Sequence, residues 1–300
     1  MDRTVTGHTY RTVDVPVAGG DLRVAIWNPE HVEGAPTVVA IHGVTSSHLA
    51  WQWVAEAMPG VRVVAPDLRG RGRSNGLEGP AGMAAHAEDL AAVFAHLELD
   101  PTVIVGHSMG AFVAVVFAHR HPDLVTRLLL VDGGLPLAAP AGLSADELVA
   151  AILGPTAERL GMRFADTGEY LAFWAGHPAF EGAPSPALER YFAYDLVPDG
   201  DLLRPATSYE TTAEDTVDLN TGTALTQALA VLPAGTAFIT VPRGLQNDAP
   251  GLYPPAHLEG LLETHQQVEH ERWEGLNHYS VVMAPQGAHA VAARIRSLLD

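Results

Sequence analysis

Residues 102–122, TVIVGHSMGAFVAVVFAHRHP, carry a serine at the junction of two segments with different patterns. Residues 102–105 are mostly apolar and β-branched, which is typical of a short buried strand. Residues 111–119 are rich in apolar residues that fit a helix. The pentapeptide GHSMG between them is therefore predicted to be a tight turn, and such a turn holds Ser108 out in the open.

Outward from this turn, strand-like segments alternate with helix-like segments along most of the chain. We predict strands over residues 21–28, 37–43, 61–70, 102–108, 127–134, 237–244 and 270–278. We predict helices over residues 51–58, 83–99, 111–121 and 284–300. Several strand segments are too continuously apolar for a sheet with one face in water. The alternation therefore predicts an α/β fold, in which a mostly parallel sheet is covered by helices on both faces.

This alternation stops between residues 135 and 233. The stretch is rich in proline, glycine and acidic residues, and its apolar residues fall in groups that contain many aromatic rings. We predict that residues 135–233 form an inserted, mostly helical cap. Residues 1–134 and 234–300 are then predicted to form the core.

The composition excludes several classes of function. Of the 300 residues, 47% are hydrophobic and 17% are charged, which is typical of a globular chain with a large core. The formal net charge is −18, and arginine is the only basic residue besides histidine, which argues against nucleic acids and anionic membranes as partners. No segment approaches the ~18 consecutive apolar residues of a membrane helix. The first residues lack the apolar core of a signal peptide, so the cytoplasm is the expected location.

Metal and cofactor chemistry finds little support in the sequence. The absence of cysteine removes thiol catalysis and cysteine-ligated metals. His119 and His121 flank the end of a predicted helix, but residues two apart do not face each other on a helix. The arginine-rich segment at residues 69–76 lacks the Gly-Lys-Ser/Thr ending of a phosphate-binding loop. We therefore expect neither a metal nor another cofactor.

The spacing Gly106-x-Ser108-x-Gly110 between a strand and a helix is that of a nucleophile elbow. In such an elbow the tight turn strains the serine backbone, and the amino terminus of the helix favours developing negative charge. A serine hydroxyl is a weak nucleophile until a base takes its proton. The base is useful when a carboxylate fixes its tautomer and stabilises its cation. The chain is therefore expected to supply a histidine and an acid further along.

Four segments, HGVTSSHLAW, APDLRGRGRS, GHSMG and GLNHYS, resemble the α/β-hydrolase superfamily, and the resemblance extends over nearly the whole chain. The resemblance implies a catalytic histidine in the loop after the last strand, which is His278 in this sequence. It also implies an oxyanion hole formed by two backbone amides, those of Met109 and Val44. His42 is then expected to brace the loop that carries Val44.

Two aspartates are candidates for the acid of this triad. Asp132 ends the strand-like segment RLLLVD and is followed by two glycines that let the chain turn away. Asp248 lies in the loop after a later strand, which is the commoner location in the family. In that loop the family usually carries the pattern Gly-x-x-Asp. Residues 244–247 of this chain read Gly-Leu-Gln-Asn, so an asparagine stands where the acid is usual. We favour Asp132 and keep Asp248 as the alternative acid.

The aromatic residues of the predicted cap indicate a small-molecule substrate that is apolar or aromatic. A concave site lined by rings and few charges selects its ligand by shape and desolvation. We predict that Trp51, Phe173, Trp174 and Tyr191 line the substrate site.

These features predict a serine carboxylesterase or lactonase that works through an acyl-enzyme. The segments VDGGLPL and PRGL…GLYPP show a weaker resemblance to bacterial lactone hydrolases of the kind that open the mycotoxin zearalenone. Two alternatives stay open, because the triad alone does not name the substrate. One is hydrolysis of a carbon–carbon bond in a dienone-type ring-cleavage product, and the other is a receptor-like protein that binds a ligand with little turnover. A monomer or a small homo-oligomer is expected.

Overall fold

A computed structural model describes residues 3–5, 8–28, 34–138, 142–180 and 185–300. Its strands are β1 (Arg3–Val5), β2 (His8–Val17), β3 (Gly20–Trp27), β4 (Thr37–Ile41), β5 (Arg62–Pro66), β6 (Thr102–His107), β7 (Val125–Val131), β8 (Leu196–Asp199), β9 (Leu202–Pro205), β10 (Thr236–Thr240) and β11 (Val268–Arg272). Nine of them form one sheet in the spatial order β1-β2-β3-β5-β4-β6-β7-β10-β11. Strands β8 and β9 form a separate antiparallel hairpin.

The α-helices lie on both faces of the sheet and in the segment between β7 and β10. They are α1 (Gln52–Glu56), α2 (Met83–Leu97), α3 (Met109–Arg120), α4 (Ala145–Leu153), α5 (Pro155–Glu158), α6 (Thr167–Ala175), α7 (Pro186–Tyr194), α8 (Tyr209–Thr221), α9 (Thr223–Leu229), α10 (Pro255–Thr264), α11 (Ser280–Met283) and α12 (Pro285–Leu299). Short 3-10 helices span His48–Trp51, Pro122–Leu124 and Arg159–Gly161.

The predicted α/β fold with a mostly parallel sheet is confirmed. Strands β5, β4, β6, β7, β10 and β11 all run parallel, and each of the predicted strand segments overlaps one observed strand. The sheet departs from parallel at one side, where β1, β2 and β3 are antiparallel to one another and β3 is antiparallel to β5. Strands β1 and β2, the β8–β9 hairpin and helix α10 were not predicted from the sequence.

The strands alternate their apolar side chains between two hydrophobic clusters, one on each face of the sheet. In β4, Val39 and Ile41 belong to the cluster that contains α2 and α3. Their neighbours Val38 and Ala40 belong to the cluster that contains α1 and α12. Successive residues of a strand point to opposite faces, so a strand that is apolar at every position needs helices on both sides. This explains why the central strands are continuous apolar runs.

The segment between β7 and β10 is mostly helical, but its helices join both hydrophobic clusters. Helices α6 and α7 place their aromatic rings in the cluster of α1 and α12. Helix α9 packs through Leu225, Ala228 and Leu229 into the cluster of α2 and α3. Because α9 covers the sheet together with α3, we propose that the cap ends before α9, earlier than the predicted boundary at residue 233.

Candidate active site

Ser108 lies in the turn between β6 and α3 with φ of 55° and ψ of −126°, an unfavourable backbone conformation for a residue with a side chain. Its backbone nitrogen donates to Val131 O at 3.0 Å. The glycines on either side permit this turn. A Cβ on Gly106 would lie 2.3 Å from Gly110 O, and one on Gly110 would lie 2.2 Å from Ile41 O. The elbow predicted from the Gly-x-Ser-x-Gly spacing therefore has a steric basis, and it leaves Ser108 partly exposed.

His278 and Asp132 form a buried pair at the same edge of the sheet. His278 Nδ1 donates to Asp132 Oδ2 over 2.7 Å, and the two side chains are 3% and 0% exposed. The other carboxylate oxygen accepts from Val241 N at 3.3 Å, while Asp132 N donates to Ile239 O at 2.8 Å. The backbone nitrogen of His278 donates to Arg243 O at 2.9 Å. Both residues are thus fixed by the strand β10 and the loop that follows it.

Asp248, the alternative acid, does not reach this pair. It is exposed and lies in a turn that is closed by a hydrogen bond of 2.8 Å from Gly244 N to Asp248 O. Of the two candidate acids, the structure places only Asp132 against His278. Residues 244–248 therefore form a turn, and this turn explains the glycine at its start.

His107 connects residues 106–110, which we call the nucleophile turn after the predicted role of Ser108, to residues 273–279, which we call the histidine loop. Its Nε2 lies 2.8 Å from His278 O, and the two imidazole rings are 4.7 Å apart between centroids. Burial holds the pKa of His107 well below its ordinary value, and the neighbouring His278 acts in the same direction. His107 is therefore neutral, with Nε2–H donating to the carbonyl. In the described chain His278 Nε2 makes no hydrogen bond to Ser108 Oγ; such contacts often tighten only when substrate binds.

The loop after β4, which carries Val44, passes beside Ser108. A Cβ on Gly43 would lie 3.1 Å from Ser108 Cβ, so this loop passes close to the serine. His42 Nε2 accepts from Leu68 N at 2.9 Å, which leaves Nδ1–H to donate to Gly43 O at 2.7 Å. Burial lowers the pKa of His42 to about 4, in agreement with this neutral tautomer. Because Gly43 C=O and Val44 N–H belong to one peptide group, His42 fixes the direction of the Val44 amide.

Arg71 also braces this loop and was not predicted as a site residue. Its Nε donates to Val44 O at 2.7 Å, and its Nη2 lies 3.8 Å from Met109 Sδ. Its Nη1 donates to Asp215 on α8, whose carboxylate also lies 3.0 Å from His86 Nε2. Burial would raise the pKa of Asp215, but His86 and Arg71 hold it below its ordinary value. A buried, charge-paired arginine therefore contacts both residues whose amides were predicted to form the oxyanion hole.

The four aromatic residues predicted to line the substrate site all lie in one hydrophobic cluster, together with the cap rings. Trp51 is fully buried, Trp174 stacks on Phe192 at 4.6 Å, and Phe173 is partly exposed beside Trp174. Tyr191 OH donates to Ser46 Oγ at 2.9 Å, which ties α7 to the loop that carries Val44. The contact of these rings with substrate stays a prediction.

The residues that the structure describes hold no group of three or more His, Cys, Asp or Glu side chains arranged to bind a metal ion. Among their helices none has the length and apolar character needed to cross a membrane.

Comparison with known proteins places the chain in a family. Residues 36–197, more than half of the chain, match the family described as alpha/beta hydrolase fold. The protein therefore belongs to the α/β-hydrolase fold family. Over 133 residues it is 38% identical to Lipase LipV from Mycobacterium tuberculosis, an alignment that covers 44% of this chain and 48% of LipV. The chain spans about half or less of the length of the curated relatives it matches.

Two solved structures share nearly the whole fold. The thioesterase domain from the curacin biosynthetic pathway superimposes with a TM-score of 0.73 and 23% identity, covering 96% of this chain and 99% of that one. E-2-(acetamidomethylene)succinate hydrolase superimposes with a TM-score of 0.75 and 20% identity, covering 96% of this chain and 100% of that one. At this level of identity the similarity concerns the fold.

Proposed function

We propose that this protein is a serine hydrolase that cleaves a carboxylic ester or lactone of an apolar or aromatic small molecule. The observation that carries the proposal is the 2.7 Å hydrogen bond between His278 Nδ1 and Asp132 Oδ2, at the sheet edge where Ser108 occupies a strained elbow. Family membership and the partial match to a lipase support the same reaction class. Action without a cofactor, a cytoplasmic location and a monomeric or small homo-oligomeric state belong to the proposal as predictions.

In the first half of the reaction, Ser108 Oγ attacks the carbonyl carbon while His278 Nε2 takes the hydroxyl proton. Asp132 holds the tautomer in which Nε2 is free to accept, and it stabilises the imidazolium that forms. The carbonyl oxygen becomes an oxyanion, which the amides of Val44 and Met109 bind. When the tetrahedral intermediate collapses, the carbon–oxygen bond breaks and His278 gives its proton to the leaving alkoxide.

In the second half, the same groups act on the acyl-enzyme. A water molecule attacks the ester of Ser108, and His278 Nε2 takes the proton of that water. The second tetrahedral intermediate places its oxyanion on the same two amides. Collapse releases the acid and returns the proton to Ser108 Oγ. For a lactone, the alcohol and the acid released are two ends of one molecule.

The proposal is tested with a fluorophosphonate, which phosphonylates activated serines and largely ignores ordinary ones. We expect one label on the folded protein, mapped by peptide mass spectrometry to Ser108. The variants Ser108→Ala and His278→Ala should lose the label while keeping the circular dichroism spectrum of the parent. No label on folded protein, or a label elsewhere, would contradict the proposed nucleophile and base. An aryl ester and lactone panel, with a dienoate as comparison, then distinguishes ester cleavage from carbon–carbon cleavage.

A further inference from the structure

Two side chains of helix α7, which lies in the predicted cap, reach the loop that carries Val44. Tyr191 and Tyr194 are three residues apart, so both point from one face of the helix. Tyr191 OH donates to Ser46 Oγ at 2.9 Å, two residues beyond Val44. The loop, residues 42–47, belongs to no strand or helix, so side-chain contacts of this kind hold its conformation.

Tyr194 reaches the end of the same loop through the carboxylate of Asp67. Tyr194 OH donates to Asp67 Oδ2 at 2.7 Å. Asp67 Oδ1 accepts from His48 N at 2.8 Å and from His48 Nδ1 at 2.7 Å. His48 is the first residue after the loop, and the side chains of His48 and Asp67 are both 0% exposed. One buried carboxylate therefore joins α7 to the end of the loop.

The protonation states of these groups fit their hydrogen bonds. Burial would raise the pKa of Asp67, but His48 holds it below its ordinary value, so Asp67 is a carboxylate. Burial raises the pKa of Tyr194, and the charge of Asp67 raises it further, so Tyr194 keeps the proton that it donates. Burial likewise raises the pKa of Tyr191. Both tyrosines are therefore donors, and the hydrogen bond from Tyr194 to a charged acceptor is of the stronger kind.

Helix α7 is itself fixed to the core, so it can support the loop. Arg73 Nη1 donates to Tyr194 O at 2.9 Å, and the guanidinium carbon of Arg73 lies 4.3 Å from the centroid of the Tyr194 ring. Near the other end of the helix, Gln52 Nε2 donates to Ala187 O at 3.0 Å. The hydroxyls of Tyr191 and Tyr194 therefore extend from a helix that is anchored near both ends.

On the basis of the proposed hydrolase function, we propose that Tyr191 and Tyr194 are positioning residues for the oxyanion hole. They hold the loop at Ser46 and at its end, so that the Val44 amide stays directed at the oxyanion. The rate of the chemical step then depends on the docking of α7 against the core. A misplaced amide stabilises the transition state less and leaves the binding of the ester nearly unchanged.

The first test removes either partner of the hydrogen bond between Tyr191 and Ser46. Tyr191→Phe and Ser46→Ala should each lower kcat on a para-nitrophenyl ester by about tenfold, with KM changed by less than about twofold. The double variant should be no slower than the slower single variant, because both substitutions delete the same hydrogen bond. Circular dichroism confirms that each variant is folded. Ser46 is only partly buried, so Ser46→Ala measures this bond even where Tyr191→Phe fails to fold.

Tyr194→Phe tests the link through Asp67. It should lower kcat by about three- to tenfold and leave KM nearly unchanged. The matched control is Tyr209→Phe, because Tyr209 OH also donates to an aspartate, Asp146 Oδ1, over 2.7 Å, but at the exposed surface. This control should keep the kcat and the KM of the parent.

Inhibition by phenylboronic acid gives a readout that a merely structural role would not move. Ser108 Oγ bonds to the boron while His278 takes the hydroxyl proton, and the tetrahedral anion that forms places an oxygen in the oxyanion hole. The inhibition constant should therefore rise in Tyr191→Phe, Ser46→Ala and Tyr194→Phe by about the factor by which kcat falls. It should stay at the parent value in Tyr209→Phe.

Unchanged kcat with a lower melting temperature would overturn the proposal, since the two tyrosines would then only stabilise the fold. A raised KM with unchanged kcat would also overturn it and make them substrate contacts. Fluorophosphonate labelling of Ser108 is measured on the same samples. An unlabelled parent protein would refute the hydrolase function itself, whereas a labelled and active parent with unchanged variants would refute only the positioning role.

Discussion

At the scale of single residues, Asp132 shows how a side chain is aimed by its backbone. Its φ of 46° lies in the left-handed region, where a residue with a side chain is uncommon. The next residue must be small, since a Cβ on Gly133 would lie 2.2 Å from Ser108 O. The chain therefore turns sharply after β7, which brings the carboxylate to His278 while the backbone stays against the nucleophile turn.

Replacing this acid should lower the turnover rate and leave the fold intact. Asp132→Asn is expected to lower kcat by about 10⁴-fold, because an amide in this position no longer holds the reactive tautomer of His278. The melting temperature and the initial rates on an aryl ester are the measurements. Asp248→Asn is the matched control and should keep nearly full activity, as Asp248 is exposed. A larger loss of turnover in Asp248→Asn than in Asp132→Asn would refute the proposed triad.

Arg71 gives a second prediction at this scale, as a positioning residue for the loop that carries Val44 and its proposed oxyanion amide. In Arg71→Lys a single ammonium group cannot contact Val44 O, Met109 Sδ and Asp215 together. We expect kcat to fall by about 10- to 100-fold with KM nearly unchanged, since a misplaced oxyanion donor acts on the transition state. Arg120→Lys, in an exposed pair with Glu88, serves as the control. A lower melting temperature with unchanged kcat would assign Arg71 a structural role only.

The candidate site residues that are local to a motif could be predicted from the sequence, whereas those that depend on distant partners could not. Ser108 followed from five consecutive positions, and His278 followed from the family resemblance, which implies a histidine in the loop after the last strand. The acid stayed open, because Asp132 and Asp248 each follow a strand and only the turn geometry separates them. Arg71 gave no signal, since its partner Asp215 is 144 residues away along the chain.

At the scale of secondary-structure elements, the same contrast between local and distant information holds. Central strands such as β6 were predictable because both of their faces are buried, which makes them continuous apolar runs. Strand β2, HTYRTVDVPV, is half polar and pairs only in antiparallel hairpins at the side of the sheet. The β8–β9 hairpin has four residues per strand and a largely exposed turn. Such elements lack a periodic signal that is strong enough to separate them from loops.

Two helical glycines test how closely α3 approaches β4. Gly110 lies in α3, where a Cβ would be 2.2 Å from Ile41 O, whereas Gly260 in α10 has open space around it. Gly110→Ala should lower the free energy of unfolding by roughly 2–3 kcal/mol, because strand and helix must move apart. Gly260→Ala should raise it by about 0.5–1 kcal/mol, as alanine favours a helix. Urea unfolding measures both. Equal effects of the two substitutions would contradict the close packing of the elbow.

At the scale of the whole molecule, the site depends on histidines that are buried in the neutral state. His42 braces the Val44 amide and His107 braces the histidine loop, and both are buried. Burial lowers the pKa of His42 from 6.5 to about 4, and it lowers the pKa of His107 well below 6.5. Between pH 6.5 and 4, these two histidines therefore bind protons in the unfolded chain but stay neutral in the folded chain.

This linkage predicts how stability changes with pH. Because the unfolded state binds more protons in this window, the free energy of unfolding rises as the pH increases from 4 to 6.5. This gain in stability is lost as the pH falls again. His42 alone should contribute roughly 3 kcal/mol to that change. The buried carboxylates of Asp67 and Asp215, whose pKa values are lowered, lose their contribution only below their ordinary pKa of 3.8, outside this window.

The measurement is the urea midpoint between pH 4.5 and 7.5 for the parent, His42→Gln and the control His289→Gln. His42→Gln should be less stable at pH 7.5, because it loses its bonds to Gly43 and Leu68, yet its stability should vary less with pH. His289 is exposed, so its substitution should leave the pH dependence of the parent. Parallel curves for the parent and His42→Gln would mean that His42 is not held neutral. The brace on the Val44 amide, which requires that tautomer, would then fail with it.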